Sequence, residues 1–344
     1  MRVLVTETAG EHFGEAVSAV GSEVELVAMT ADGSLRPEVS WGDAGVEVIW
    51  ATADLFAEGA PIRSFFKFVT ASTTLCWLQS PAAGVDFPLF ADLLARGVVV
   101  TNAHVNSIPI AEYVLRAALD HAQQAQDWRD AEQERVWRRH DFTEMAATTW
   151  LVIGLGSIGT EVSSRARAFG ARVVGIRRHP SGTEPLDRVA GPEAIAGMLP
   201  AADVVVLCAP ATPATHRLVD AAFLAAMKPT ALLINVSRGS LVDESALLRA
   251  VDGGALGGAV LDVFDVEPLP PGHPFWSHPR VTVTAHNAAG GTGRYGRAAE
   301  LFIDNLRRYR AQQPLRNEVT RADLPTSPAP ADDELSASFK DPGS

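Results

Sequence analysis

An apolar triplet, Leu151-Val152-Ile153, runs directly into Gly154-Leu155-Gly156-Ser157-Ile158-Gly159, and a stretch of helical composition follows from Thr160 to Phe169. Glycines spaced G-x-G-x-x-G between a buried strand and a helix leave few folds open. The first permits a tight turn, the second lets a ligand approach the backbone, and the third lets helix pack closely on strand. The helix that follows begins with unpaired N–H groups, which favour an anion. Taken alone the pattern is common. With an apolar strand at Arg172 to Ile176 also in place, the whole fits a dinucleotide-binding βαβ unit of about thirty residues. A glycine turn that merely joins strand to helix is the plainer alternative.

The second strand of such a unit ordinarily ends in an acidic residue that pairs with the hydroxyls of the adenosine ribose. Here it ends in Gly175-Ile176-Arg177-Arg178-His179-Pro180. A carboxylate would repel a 2′-phosphate, whereas a guanidinium holds one through two parallel charge-assisted hydrogen bonds of about 1.5–3 kcal/mol each. The expected cofactor is therefore NADP(H) in preference, with NAD(H) as the alternative, held by Gly154 to Gly159 together with Arg177 and Arg178. The rival reading makes both arginines a solvated positive edge of little energetic consequence.

Around this unit the chain repeats a strand–helix rhythm. The runs WLVIG, ARVVGI, ADVVVL, ALLINV, GGAVLD and RVTVTA give five or six buried strands of one doubly wound domain ending near His286. The first hundred residues alternate the short apolar runs MRVLVTE, VELVAM, VEVIWAT, FFKFVTAS, LCWLQS and GVVVTN with helical stretches such as PLFADLLARG, the pattern of a second parallel α/β sheet. A long helix is expected over 106–124, with Ile110, Val114, Leu115, Ala118 and Leu119 at helical intervals. Another, over 295–309, carries Ala298, Leu301, Phe302, Asn305 and Leu306 on one side; it cannot extend the second sheet, so it returns to the first. From Glu318 the composition turns to Pro, Ser, Ala and Asp, too poor in large apolar groups to offset ordering entropy, and disorder is expected over 318–344.

Composition sets outer bounds. A chain of 344 residues, 47% apolar and 20% charged, can bury two cores. The net charge of −12, from 41 acidic and 29 basic residues, argues against a nucleic-acid or anionic-membrane partner. The start, MRVLVTETAG, is too short in apolar reach for a signal segment, and no apolar run approaches a membrane span. Two cysteines, Cys76 and Cys208, both in apolar runs, suit a reducing cytoplasm. No metal site is expected.

Three later segments place charged residues at strand ends, where ligands bind in open α/β sheets. INVSRG brings Arg238, LDVFDVEP brings Asp262 and Glu267, and VTAHN brings His286. The guanidinium can bind a substrate carboxylate and polarise the neighbouring carbonyl, while the imidazolium gives a proton to that oxygen when hydride reaches the carbon. A carboxylate beside the imidazole raises its pKa and orients it. Taken singly, each has a plainer reading: a surface ion-pair partner for the arginine, a hydrogen-bonded structural group for the histidine.

In order and spacing, the motifs GLGSIG, LCAPATPATH, INVSRGSLVDESAL, GAVLDVFDVEPLP and HPFWSHPRVTVTAHNAAG resemble the D-isomer-specific 2-hydroxyacid dehydrogenase family, in its glyoxylate/hydroxypyruvate reductase-like branch, over roughly residues 1 to 315. The resemblance implies two Rossmann-like doubly wound parallel-sheet domains with a cleft between them. The substrate-binding domain is discontinuous, 1–102 plus 290–317, and the NAD(P)-binding domain is 103–289. It implies an oxidoreductase acting on the CH–OH group, with Arg238, Glu267 and His286 catalytic. Asp262 falls on the nicotinamide side, and Pro210, Val236 and Ser237 lie beside the cofactor. The loop LQSPAAGVD supplies backbone N–H groups of Ala83 and Gly84 to the substrate carboxylate. The helix starting NSIPIAEYV implies a homodimer.

Some features depart from the family. Ala285 stands where a proline usually precedes the histidine, MAATTW replaces the usual turn before the glycine strand, and Arg177 replaces the acidic residue of NAD-using members. The expected substrate is a small 2-oxo or 2-hydroxy acid, glyoxylate or hydroxypyruvate. Glu267 speaks against a formate-type reaction on another small anion, which needs no proton donor. The alternative of a different class is a nucleotide-sensing corepressor-like binding protein on the same fold.

Overall fold

In the computed structural model the described residues are 1–324 apart from 82, 83, 85, 86 and 181–185. The chain divides into two compact units, one of Met1–Val105 with the residues from Thr292 onward, the other Asn106–Gly291.

The first unit carries β1 (Arg2–Thr6), β2 (Glu25–Met29), β3 (Leu35–Arg36), β4 (Val46–Trp50), β5 (Trp77–Gln79) and β6 (Val99–Thr101). Their order is β3-β2-β1-β4-β5-β6, parallel throughout except for β3 against β2. The run FFKFVTAS, expected to be strand-like, lies instead in the helix Ile62–Ala71. It buries Phe65, Phe68 and Val69, a spacing of three and one that only a helix puts on one face, and this period overrides the β preference of the residue types. The helix Arg294–Arg310 belongs to this unit and buries Ala299, Phe302, Asn305 and Leu306. Phe302 stacks on Trp50 of β4 at 4.5 Å and on Trp77 of β5 at 5.2 Å, so three large rings form the joint of helix and sheet. Asn305, fully buried, is satisfied: its Nδ2 donates to Gln79 Oε1 (3.2 Å) and its Oδ1 accepts from the Arg316 N–H (2.7 Å).

Order continues beyond residue 317, against the expectation of disorder from 318. The Asn102 N–H donates to Asn317 O (3.1 Å) and the Val319 N–H to Val100 O (2.8 Å), an antiparallel pairing along the open edge of β6. Val319 is buried and Leu324 packs on the same core. An edge strand offers unpaired backbone groups, and one buried valine suffices to dock a short segment there. A composition averaged over the whole tail conceals it. Residues 325–344 lie outside the described residues.

The second unit carries β7 (Thr149–Ile153), β8 (Arg172–Ile176), β9 (Arg188–Ala190), β10 (Val204–Leu207), β11 (Leu232–Asn235), β12 (Gly258–Leu261) and β13 (Val281–Val283), all parallel in the order β13-β12-β11-β10-β7-β8-β9. Seven strands replace the expected five or six, because β9 is three residues long with one large apolar side chain, Val189, and gives no periodic signal. The central strands β10, β11 and β12 are buried along their whole length, as strands covered on both faces must be. The chain runs outward from β7 through β8 to β9, then returns to pair β10 on the other side of β7, which puts the topological switch between β7 and β10. The helix Ser107–Ala122 buries Ile110, Ala111, Val114, Leu115 and Ala118.

One register row crosses the carboxyl edge of this sheet: Ile176, Ile153, Leu207, Asn235, Leu261 and Val283 are successive partners. Every segment singled out for chemistry in this unit begins just past that row.

Candidate active site

At the switch point the glycine turn fits its three tasks separately. Gly154 has φ +101°, and a Cβ there would lie 2.5 Å from the Ala209 nitrogen in the loop after β10. Its N–H donates to Ile176 O (2.9 Å), tying the turn to the end of β8. A Cβ on Gly159 would meet the Gly154 carbonyl oxygen at 1.9 Å, so the helix Ser157–Ala168 approaches the turn as only glycine allows. Gly156 is different: among the described residues nothing lies within 4 Å of the place its Cβ would take. No atom of the described residues demands that glycine, and the space stands before the N-terminus of a twelve-residue helix. A helix N-terminus with open space before it favours an anionic group. Leu155 points into the core and faces Gly175, whose own Cβ would come 2.4 Å from it; Ser157 and Ile158 are half-buried. Arg177 and Arg178 are exposed one and two residues beyond β8, with the Arg177 N–H donating to Ala190 O (3.1 Å).

The end of β11 is shaped by a buried amide. Asn235 Nδ2 donates to Arg238 O (2.9 Å) and its Oδ1 accepts from the Ser237 N–H (3.1 Å), so the chain curls over its own side chain. Ser237 Oγ donates to Ala209 O, and Val236 is buried. Pro210 is exposed at the rim, its carbonyl accepting from Thr215 Oγ1 (2.7 Å). Arg238 Nη1 donates to Ser237 O at 2.9 Å. A Cβ on Gly239 would fall 1.8 Å from the Phe264 carbonyl carbon, so the Arg238 turn lies against the backbone of the loop that carries Glu267.

His286 Nδ1 lies 2.9 Å from Glu267 Oε2, and Glu267 Oε1 accepts from the Phe264 N–H at 2.9 Å. Burial pushes the Glu267 carboxyl up, but the His286 and Phe264 hydrogen bonds, with the charges of His286 and Arg238, outweigh it and hold the group below the usual carboxylate range. An ionised carboxylate only accepts, so Nδ1 carries a proton and Nε2 is the nitrogen available to a substrate. The Glu267 hydrogen bond raises the pKa of His286; burial and Arg238 oppose it, and the charges of Glu267 and Asp262 add to it. The Arg238 charge thus acts on both members of the pair.

The loop that presents His286 wraps around Asp262, which is 2% exposed. Asp262 Oδ1 accepts from Thr284 Oγ1 (2.5 Å) and the Asn287 N–H (2.8 Å), Oδ2 accepts from the Ala288 N–H (2.9 Å), and the Asp262 carbonyl accepts from the His286 N–H (2.8 Å). His286 itself has φ +49°, a left-handed conformation.

The structure therefore brings Glu267 and His286 into contact, sets the Arg238 turn against their loop, and gathers the glycine turn, Arg177, Val236, Ser237 and Asp262 along the same sheet edge. Gly84 belongs to the other unit, half-buried in the loop after β5, and Ala83 lies outside the described residues. Thr284 is absent from the expected site, although it stands one step past β13 as Asp262 stands one step past β12. That shared register in VTVTAHN is the signal that marks it.

A doubly wound nucleotide-binding unit with an arginine and a hydrogen-bonded Glu–His pair at its carboxyl edge defines a class of dehydrogenase-type chains. The family model described as "D-isomer specific 2-hydroxyacid dehydrogenase, NAD binding domain" matches residues 115–288, and the chain belongs to that family. It is 36% identical over 178 residues to glyoxylate/hydroxypyruvate reductase A of Serratia proteamaculans, covering 52% of this chain and 57% of that one. It is 36% identical over 207 residues to D-3-phosphoglycerate dehydrogenase of Synechocystis sp., covering 59% of this chain and 37% of that one. The chain thus spans less than two thirds of the length of either of these curated relatives. Among solved structures, a D-isomer specific 2-hydroxyacid dehydrogenase from Xanthobacter autotrophicus Py2, in complex with NADPH and MES, superposes with a TM-score of 0.75 at 31% identity, covering 94% of this chain and 98% of that one.

Proposed function

We propose that this chain is an NAD(P)-dependent D-2-hydroxyacid dehydrogenase that works mainly as a reductase of a small 2-oxo acid, glyoxylate or hydroxypyruvate. The observation that carries this reading is the 2.9 Å His286–Glu267 pair beside the Arg238 turn, at the carboxyl edge of a nucleotide-binding sheet. Arg238 binds the substrate carboxylate and polarises the adjacent carbonyl. His286, as imidazolium, passes its Nε2 proton to the carbonyl oxygen, and neutral His286 takes the hydroxyl proton in the reverse direction. Glu267 keeps Nδ1–H bound and offsets the ring's positive charge. The nicotinamide, when bound, supplies the hydride that reaches the substrate carbon.

NADP(H) is the preferred cofactor in this reading and NAD(H) the lesser one. The exposed pair Arg177 and Arg178, where an acidic residue would serve NAD(H), supports it, as does the NADPH complex of the Xanthobacter relative. Asp262, Pro210, Val236 and Ser237 line the cofactor's path, and the backbone N–H groups of Ala83 and Gly84 are the ones assigned to the substrate carboxylate. The protein works as a homodimer in the cytoplasm. Large apolar side chains following the helix Ser107–Ala122 support the dimer, with Trp137 86% exposed, Val136 50% and Phe142 46%.

The test is NADPH oxidation against a panel of 2-oxo acids. Turnover with glyoxylate or hydroxypyruvate is the expected result. Tight NADPH binding with no turnover of any 2-oxo acid would favour a nucleotide-sensing binding protein.

A further inference from the structure

The hydroxyl of Tyr113 lies 2.8 Å from Thr284 Oγ1, across 171 residues of sequence, and Thr284 Oγ1 lies 2.5 Å from Asp262 Oδ1. Proton counting gives this chain a direction. A carboxylate only accepts, so the single hydroxyl proton of Thr284 is committed to Asp262, and Tyr113 must be the donor to Thr284. The Asp262 carboxylate collects two further donors, the N–H groups of Asn287 and Ala288, and the Asp262 carbonyl accepts from the N–H of His286 just before them.

The loop needs such restraint. At φ +49° His286 sits in a conformation that costs an L-residue about 1–2 kcal/mol and persists only where its surroundings over-determine it. Ala285, with no ring to fix its φ, supplies no restraint.

We propose that Tyr113 and Thr284 are positioning residues for His286: the directed chain from the Tyr113 hydroxyl through the Thr284 hydroxyl to the Asp262 carboxylate holds residues 284–288 so that His286 Nδ1 meets Glu267. This rests on His286 being the proton donor proposed above. Burial, with the Asp262 charge, raises the Tyr113 pKa against the opposing Thr284 hydrogen bond and Arg116, so its hydroxyl keeps its proton and remains a donor. The charged groups that act on His286 are Glu267, Arg238 and Asp262; changing Thr284 touches only Asp262, which loses one hydroxyl donor and keeps its bonds to the Asn287 and Ala288 N–H groups.

The experiment uses the full chain with Thr284→Val, Thr284→Ser and Tyr113→Phe. Two readouts are taken: NADPH oxidation by glyoxylate, and the NMR titration of His286 without substrate. Thr284→Val is expected to lower kcat by about tenfold, with the KM for NADPH near the parent value. It also moves the His286 titration down toward the ordinary 6.5, because the Glu267 hydrogen bond is loosened. Tyr113→Phe gives the same signs with a smaller loss, about threefold, since Thr284 keeps its bond to Asp262. Thr284→Ser, which retains the hydroxyl, recovers most of the loss.

Parent-like kcat and an unmoved titration in both Thr284→Val and Tyr113→Phe would overturn the proposal. So would a serine variant as impaired as the valine one, since shape rather than the hydroxyl would then matter. If Thr284→Val does not fold, the serine and phenylalanine variants carry the test. If the parent chain turns over no 2-oxo acid, the proton-donor reading fails by itself, while the titration still decides whether the chain of hydroxyls positions the imidazole.

Discussion

Nδ1 of His286 and Oε2 of Glu267 stand 2.9 Å apart, and the second carboxylate oxygen is held by the Phe264 N–H, so the carboxylate cannot turn away without losing a bond. The contact raises the His286 pKa above its ordinary value. In the proposed reaction, reduction needs the imidazolium. Its kcat/KM should therefore be full at low pH and fall as pH rises through that raised pKa, while oxidation shows the opposite limb. Glu267→Gln removes the charge, lowers the pKa, and should move the reductive fall to lower pH. Superimposable pH profiles for parent and variant would contradict the assigned pairing.

Arg177 leaves the end of β8 beside the glycine turn and is exposed. Arg177→Asp should raise the KM for NADPH by about tenfold or more, the worth of a charge-assisted contact of about 1.5–3 kcal/mol, and leave NADH use much less affected. Steady-state kinetics with both cofactors decide it. Equal losses for the two would remove the account of cofactor choice.

Gly156 and Gly154 should separate ligand from fold. Alanine at 156 meets no atom of the described residues within 4 Å, so thermal stability should stay near the parent value while the Kd for NADPH rises by about tenfold or more. Alanine at 154 must adopt φ +101° with its Cβ 2.5 Å from Ala209 N, and should destabilise the unit by more than about 2 kcal/mol. Unchanged NADPH affinity in Gly156→Ala would place the pyrophosphate elsewhere.

Phe302 is sandwiched by Trp50 and Trp77 and is fully buried. Phe302→Ala should cost about 3–5 kcal/mol in chemical denaturation, a large cavity in a three-ring stack. A loss under about 1 kcal/mol would show that the helix Arg294–Arg310 does not anchor its sheet.

What could be read beforehand follows from where the physics is local. The glycine turn and the strand Arg172–Ile176 were legible because tight turns and fully buried strands restrict residue type within a few positions. The helix expected over 106–124 is Ser107–Ala122, its apolar spacing being sustained for four turns. The helix at Ile62–Ala71 is ambiguous in sequence because five aromatic or β-branched side chains, Phe65, Phe66, Phe68, Val69 and Thr70, in a short run favour either state, and only packing decides. Docking of Val319 on β6 depends on an edge more than two hundred residues earlier in the chain, which no local window contains. For the site, the residue types at 238, 267 and 286 were visible, whereas the clamp of Asp262 on residues 284–288 arises only when β12 and β13 come into register.

The most direct measurement pairs NADPH binding with glyoxylate and hydroxypyruvate turnover in His286→Gln. The imidazole as proton donor requires NADPH to bind with near-parent affinity while kcat falls by about a hundredfold to ten-thousandfold at neutral pH. Turnover within a few-fold of the parent chain would contradict it.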